Sequence, residues 1–220
     1  MCSGFLKLAS ERSTSLSILD DILSISPSAG LREFGNDVTS VDLTATTTKQ
    51  SDTLTSVVFK RDGTAIDTNT PPASPSGGTE TYTEPTDVTT TTTFTATVND
   101  GTTVVTSNSQ TYTFVYAYYY GVGAQGLTGA QIAGLTKSVI GSTSSVAFSS
   151  SPSSQVWYFA YPAAYPALTS ILDNSGFETI ADYTVSTTSI TNTYGQATTY
   201  RVYEFNNPTT QTSFTNTFIQ

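Results

Sequence analysis

The chain of 220 residues contains no histidine, one cysteine, one methionine and one tryptophan, and only 11% of its residues are charged. Without histidine, the commonest general base and the commonest transition-metal ligand are missing. The single Cys2 can form neither an internal disulfide nor a zinc site. No apolar run reaches the ~18–20 residues of a membrane-spanning helix, and the N-terminus lacks the apolar stretch of a signal peptide. We therefore predict no cofactor, no metal site, no catalytic residues and no membrane span.

Positive charge is also scarce. The net charge is −9, and beyond Asp67 only Lys137 and Arg201 are basic, against eight acidic residues. Because binding to a phosphate backbone needs clustered Lys and Arg, nucleic acid is not an expected partner. Thr and Ser fill much of the chain, together with 13 Tyr and 11 Phe. Thr and the aromatic residues suit a pleated, half-buried surface, so the fold is predicted to be mainly β.

Residues 1–30 are predicted to form a short helical segment for anchoring or oligomerisation. Within STSLSILDDILSIS, apolar residues recur at spacings of three and four, which indicates an amphipathic helix: Leu16, Leu19, Ile22 and Leu23. A helix of this length is not stable alone. It would have to dock either on its own domain or on a neighbouring subunit, and the sequence leaves both alternatives open.

Residues 31–115 are predicted to form an immunoglobulin-like β-sandwich. Two pairs of strand-like segments are joined by turn sequences, one at Asp62-Gly63 and one at Asn99–Gly101. The segment TPPASPSGG reads as a loop, since its prolines cannot continue a strand ladder. About six or seven short strands in ~85 residues are typical of such a sandwich, although the Cys and Trp pattern of antibody domains is absent.

Residues 116–220 are predicted to form a small α+β domain. In LTGAQIAGLTKSVI the apolar spacing is helical, and Thr128 and Gln131 match a capping box. A second helix of about two turns is predicted in ALTSILDNSG. Strands are predicted around 146–148 and 156–160 and in the tail, where Tyr194-Gly195 is a turn sequence.

Two motifs in this domain have a chemical interpretation. Gly121, Gly123 and Gly126 in GVGAQG match the dinucleotide-binding pattern, but no acidic residue follows about twenty positions later. A glycine-rich turn explains them better. Asp173 and Glu178 in DNSGFE could pair as the two carboxylates of a glycosidase, but a turn-forming role is favoured. The protein is therefore predicted not to be an enzyme.

The stretch VWYFAYPAAYPALTSILDNSGFE is the most aromatic part of the chain. On a strand, Trp157, Phe159 and Tyr161 lie on one face. If that face is covered, the residues belong to a core or a subunit interface, which is the favoured interpretation. If it is open, the three residues form a binding face for a sugar or a partner protein, since aromatic side chains offer apolar area with a polar tip.

This stretch, together with AYYYGV, TGAQIAGLTK and YRVYEFNNPTTQTSFTNTF, resembles a domain found in tailed-bacteriophage virion proteins. In that family a similar aromatic-proline block leads into a short helix and a Gly-Phe turn, and a Tyr-Arg-Val-Tyr strand follows. The upstream segments FGNDVTSVDLTATTTKQSDTLTSVVFKRDG and TFTATVNDGTTV are similar to the Ig-like module that often precedes this domain. The resemblance covers roughly residues 31–220 and transfers no catalytic or ligand-binding residue.

The resemblance implies a non-enzymatic structural protein of a bacteriophage virion, located in the tail, baseplate or neck rather than in the capsid. Such a tail-fibre-type protein would act in assembly and host attachment. Its partners would be other virion proteins, further copies of itself, with a trimer favoured, and a host-surface glycan or protein. The alternatives are a surface adhesin or glycan-binding module and a capsid decoration protein. A depolymerase is the weakest alternative.

Overall fold

The computed structural model describes residues 18–49, 53–141, 145–210 and 214–220. This part of the chain is mainly β, as the composition predicts. None of its helices is long and apolar enough to cross a membrane. The domain boundaries predicted at residues 30 and 115 stay predictions, because a compact unit in a structure does not show which part of the chain folds independently. Two compact units are formed, each from separate stretches: the first from the described residues up to Ser28, Val41–Pro85 and Thr93–Gln110, and the second from Ala29–Ser40, Thr86–Thr92 and Thr111–Gln220.

The strands are mostly short and are numbered in chain order: β1 Ile18–Ser26, β2 Gly30–Glu33, β3 Val41–Lys49, β4 Ser56–Arg61, β5 Thr64–Asn69, β6 Gly78–Glu84, β7 Thr92–Asn99, β8 Val104–Thr106, β9 Gln110–Val115, β10 Tyr118–Gly123, β11 Thr136–Ser138, β12 Ser145–Ser150, β13 Ser153–Pro162, β14 Ser170–Leu172, β15 Tyr183–Thr191, β16 Ala197–Phe205, β17 Thr209–Thr210 and β18 Phe214–Ile219. The helix α1 spans Gly129–Ile132, and a 3₁₀ turn spans Ile180–Asp182.

Antiparallel sheets build the first unit. One has the strand order β1-β3-β6. In the other, β4 lies between β5 and β7, and β8 pairs with the end of β7. Residues along β7 alternate strictly between buried and half-buried, as expected of a strand with one face on a core. Across the core, the ring of Phe59 stacks on Tyr82 of the first sheet, with centroids 6.0 Å apart.

Both predicted hairpin turns of this unit are confirmed. Asp62 and Gly63 have φ values of 50° and 80° and connect β4 to β5. These values suit the tight turn whose twist matches its flanking strands. The turn at Asn99–Gly101 connects β7 to β8, and the Asp100 carboxylate accepts the N–H groups of Thr102 and Thr103 at 2.8 and 2.6 Å.

The helix predicted in the first thirty residues is wrong where the structure describes it. Ile18–Ser26 is the strand β1, which pairs with β3 along its length. Alternation then decides which side chains are buried: Asp21 and Leu23 are 2% and 1% exposed, whereas Ile22 between them is 53% exposed. The segment is too short to be held by helix propensity, so pairing with β3 determines its conformation.

Around β13 the second unit builds its large sheet, in the order β11-β10-β13-β16-β15, with β17 paired to the start of β13. A smaller sheet, β12-β18-β14, supplies residues to the core on one face of β13. On the other face, Ile132 of α1 packs into a second cluster with Val156, Tyr158 and Ala160. An earlier stretch of chain joins this unit, since β2 runs parallel to β9 and Val38 bridges to Val88.

One of the two helices predicted here is present. At α1 the capping box between Thr128 and Gln131 is formed as predicted. The helix ends at Ile132, however, and the following residues turn into β11. ALTSILDNSG contains no helix, and its middle is the strand β14. Ile171 there is fully buried opposite Phe218 of β18, so cross-strand packing outweighs the weak local helical spacing.

Candidate functional site

The predicted aromatic binding face lies inside the second unit. Trp157, Phe159 and Tyr161 are each 0% exposed. The ring of Phe159 stacks on Phe218 with centroids 3.9 Å apart, and that of Tyr161 stacks on Tyr203 at 6.0 Å. The opposite face of β13 is equally buried. A ligand could reach this face only if the core opened, so the placement agrees with the core alternative and gives the binding role no support.

The polar tip of this face is also occupied. The Tyr161 hydroxyl donates to the carbonyl of Pro166 at 2.9 Å and accepts from the Arg201 guanidinium at 3.2 Å. The same guanidinium nitrogen donates to the carbonyl of Tyr165 at 2.9 Å. Burial raises the pKa of Tyr161 far above its ordinary value, and neighbouring hydrogen bonds modify the shift. One of the two cations beyond Asp67 is therefore used to hold the Tyr-Pro segment against the core.

The predicted oligomerisation stripe does not lie on one face of β1. Leu16 lies outside the described residues, as does the side chain of Leu19. Ile22 and Leu23 point to opposite sides of the strand, and only Ile22 is exposed. An oligomerisation role for these four residues stays a prediction, and of the described side chains only Ile22 could contact another subunit without unfolding β1.

The glycine-rich segment GVGAQG packs against its own chain. A Cβ atom on Gly123 would lie 2.8 Å from the side chain of Leu127. Gly126 has a positive φ of 76°, and its N–H donates to the Glu204 carboxylate at 2.9 Å. Dinucleotide sites need such backbone N–H groups free to face a pyrophosphate. The arrangement agrees with the turn interpretation.

The DNSGFE segment forms a tightly hydrogen-bonded turn. The Asp173 carboxylate accepts the N–H groups of Ser175 and Phe177 at 2.8 and 2.9 Å. The Asp173 N–H donates to the Phe177 carbonyl at 2.9 Å, and the Gly176 N–H donates to the Asp173 carbonyl at 3.0 Å. Gly176 supplies the positive φ of 81° that the turn requires. Asp173 therefore has the turn-forming role predicted for it.

Glu178 fixes this turn to β14. Its carboxylate accepts the Ser170 hydroxyl and the N–H groups of Ile171 and Ile180, the last two at 3.0 and 2.8 Å. These hydrogen bonds, with that from Ser170 the strongest, lower the pKa of Glu178 below its ordinary value. Both carboxylates of the segment thus serve to hold its conformation.

The turn presents one aromatic side chain to solvent. Phe177 is 69% exposed, the largest value among the exposed large hydrophobic residues of the described chain. Its backbone is held by two hydrogen bonds to Asp173, so little backbone freedom is left to lose on binding. Phe177 is not among the predicted site residues, because the sequence DNSGFE indicates turn formation only. The available signal was an aromatic residue between Gly176 and Glu178, outside any strand pattern.

Comparison with protein families and with curated proteins identifies no relative of the chain. No protein-family model matches the chain, and no curated protein matches it at a significant level.

Proposed function

We propose that the protein is a non-enzymatic structural component of a tailed-bacteriophage virion, of the tail, baseplate or neck fibre type, and that it acts in assembly and host attachment. One observation carries the proposal: the segments that bear the resemblance are far apart in the sequence but adjacent in the fold. AYYYGV contributes to β10, VWYFAYP forms most of β13, and YRVYEF forms most of β16. These are three adjacent strands of one sheet.

The remaining segments of the resemblance pack on the two faces of that sheet. Phe218, from TSFTNTF, stacks on Phe159 at 3.9 Å on one side. Ile132, from TGAQIAGLTK, joins the cluster on the other side. Segments separated by up to about ninety residues thus share one aromatic core, which supports their origin in one recurrent domain rather than in scattered similarities.

The proposal extends to the rest of the chain. Residues 116–220 are the phage-type domain, residues 31–115 an Ig-like spacer module, and residues 1–30 the anchoring segment, whose β1 also forms one strand of the first sheet of that module. The stacking of Phe59 on Tyr82 between two antiparallel sheets supports the sandwich assignment. Partners under this proposal are other virion proteins and further copies of the chain, with a trimer as the favoured state, and nucleic acid is not among them.

Purified particles of the phage that encodes the chain provide the direct test. Quantitative mass spectrometry should find the protein in intact particles at a fixed copy number, and a cryo-EM reconstruction should place it in the tail, baseplate or neck. Detection only in the infected-cell lysate, with none in washed particles, would contradict the proposal. A position on the capsid shell would instead support the capsid decoration alternative.

The exposed Phe177 favours one alternative, a surface adhesin that binds a host glycan or protein. An aromatic ring on a rigid turn is typical of an anchor residue at binding surfaces. Under this alternative, Phe177→Ala weakens binding to host cells at least about tenfold, as loss of an anchor of 1.4 kcal/mol or more requires. Tyr194→Ala, at another exposed aromatic residue (44% exposed), is the control. Equal binding of both variants and the wild type would exclude Phe177 from the contact.

A further inference from the structure

The edge strand β15 has an open stretch that no other strand of the chain covers in the described structure. Its residues, YTVSTTSIT, include no charge, proline or glycine. It pairs with β16 in an unbroken register over its full length and with no second strand. From Thr184 to Thr187 the side chains on both faces of the strand are exposed, and Val185 is 51% exposed.

The register shows which backbone groups of β15 face outward. At one end, the Asn206 N–H donates to the Asp182 carbonyl at 2.8 Å, and at the other the Asn192 N–H donates to the Gln196 carbonyl at 2.9 Å. In an antiparallel ladder these bonds involve every second residue, so even-numbered residues of β15 bond to β16. The N–H and C=O groups of Val185 and Thr187 therefore point away from the sheet. Among the described residues, they have no hydrogen-bonding partner.

Two neighbouring elements limit this open stretch. At one end, the Tyr183 N–H is already bonded to the Ile180 carbonyl of the 3₁₀ turn. At the other, α1 lies so close to the strand that a Cβ atom on Gly129 would collide with the carbonyl oxygen of Ser189. Only the backbone between Tyr183 and Thr187 is free to pair with another strand, and Val185 is at its centre.

Charge and length together distinguish β15 from the other edge strands. Most edge strands of the described chain carry charged residues, such as Asp20 and Asp21 in β1, Glu80 and Glu84 in β6, and Lys137 in β11. Charged residues on an edge discourage pairing with another chain, and self-pairing would place like charges opposite each other. The edge strands β12 and β14 are also uncharged, but they have six and three residues against nine in β15.

We propose that β15 is a self-association site, through which two copies of the chain pair antiparallel about a twofold axis at Val185. Ser189 must stay outside the paired stretch, because α1 covers its carbonyl. The register that meets this condition places Val185 opposite Val185 of the second copy and Tyr183 opposite Thr187. The Val185 N–H of each copy donates to the Val185 carbonyl of the other, and each Thr187 N–H donates to the Tyr183 carbonyl of the other. This arrangement satisfies the outward N–H and C=O groups of Val185 and the N–H of Thr187. The Thr187 carbonyl is left to water, because the Tyr183 N–H opposite it is already bonded to Ile180.

A second copy fits this edge better than a charged partner strand. Each chain carries a net charge of −9, so self-association needs a contact that brings no like charges directly opposite each other. The exposed residues from Thr184 to Thr187 are neutral, and an antiparallel twofold pair brings Thr184 next to Ser186, a hydroxyl pair that is favourable across strands. The inference does not rest on the proposed virion function, and it specifies an even-numbered contact that differs from the trimer favoured there.

Sedimentation equilibrium of the full chain tests the proposal. Since the contact is smaller than a standard interface, it should be weak, with association visible between about 1 µM and 1 mM. The wild type should fit a monomer–dimer equilibrium in that range. A monomer at every concentration, or a trimer with no dimer, would overturn the proposal.

Substitutions at Val185 test the register. Val185→Lys and Val185→Glu each place like charges opposite each other at the twofold axis, so each should weaken dimerisation at least about tenfold, whereas Val185→Thr should change it by less than about twofold. An equimolar mixture of the Lys and Glu variants should recover association, because opposite charges then face each other. Failure of the mixture to associate, or unchanged dimerisation of either single variant, contradicts this register.

Circular dichroism must show that the charged variants are folded. If Val185→Lys is unfolded, amide hydrogen exchange of the wild type provides the measurement instead. The Val185 and Thr187 N–H groups should then exchange more slowly at dimer-forming concentrations than in the monomer. The Ser186 N–H, which faces β16, should be protected in both. Equal exchange of Val185 in monomer and dimer would overturn the proposal.

Discussion

Asp21 allows the sharpest test of the first unit. Its carboxyl group is 2% exposed on the inward side of β1. One oxygen accepts the Thr47 hydroxyl at 3.3 Å, and the other has no hydrogen-bonding partner among the described residues. Burial raises the pKa of Asp21 from 3.8 to about 6, the Thr47 hydrogen bond opposes this shift, and the charge of Asp20 adds to it. The folded protein therefore binds this proton more tightly than the unfolded chain does.

The sign of the pH dependence follows from this shift. Between the unfolded pKa, near 4, and the folded pKa, near 6, the folded state binds more protons than the unfolded state, so stability falls as pH rises. The contribution is fully present below about pH 4 and is lost as pH passes through about 6. A difference of about 2 between the folded and unfolded pKa, at 1.36 kcal/mol per pKa unit, corresponds to a loss of at most about 3 kcal/mol in the free energy of unfolding by pH 7.

Asp21→Asn removes this titration and keeps an oxygen for the Thr47 hydroxyl. Urea unfolding of wild type and variant between pH 4 and pH 7.5 gives the free energy of unfolding for each. The variant should gain up to about 3 kcal/mol relative to the wild type between those limits. Asp42→Asn is the matched control, since Asp42 lies on the exposed side of β3 and its carboxylate accepts the Thr83 hydroxyl at 2.7 Å. A difference between Asp21→Asn and wild type that is the same at both pH limits refutes the reasoning.

Three further substitutions test the second unit by the same unfolding measurement. Trp157→Ala should lower stability by about 3–5 kcal/mol, as expected for emptying an aromatic core site, and a change below about 1 kcal/mol would show that the site is not packed. Gly129→Ala should cost about 1–3 kcal/mol, because its Cβ meets the Ser189 carbonyl; a stabilised variant would show that α1 can move away. Lys137→Met should cost about 2–3 kcal/mol, because it leaves Glu33, whose side chain is 2% exposed, without its ion pair at 2.6 Å. Adding Glu33→Gln to Lys137→Met should restore part of that loss, and no recovery would argue against the ion pair.

The sequence predicted those parts of the fold that depend on local signals. Asp62-Gly63 and Tyr194-Gly195 each favour one turn geometry whatever surrounds them, and both turns connect paired strands. The alternation in VWYFAYP assigns each side chain of β13 to one of two faces. In ILDDILSIS, however, apolar residues fit both a period of two and a period near 3.6. The choice between strand and helix there depends on pairing with β3, about twenty residues away.

Exposure of the candidate site could not be predicted in the same way. The turn role of Asp173 follows from DNSG, since Asp and Asn side chains bond to nearby backbone groups. Whether Trp157 or Phe177 is exposed depends instead on which distant strands cover it. β18, more than fifty residues after Trp157 in the chain, contributes Phe218 to the cluster around Trp157, whereas Phe177 remains 69% exposed.

The order in which the second unit is synthesised has a consequence for its folding. Glu33 pairs with Lys137, which is 104 residues later in the chain. The Phe34 carbonyl accepts a hydrogen bond at 2.7 Å from the side chain of Asn192, which is 158 residues later. Contacts so distant in the chain form slowly. During translation, Glu33 and the Phe34 carbonyl therefore stay without these partners while the first unit is made, although Val38 can already bridge to Val88. A fragment that starts at residue 116 would lack residues 29–40 altogether and leave Lys137 without Glu33.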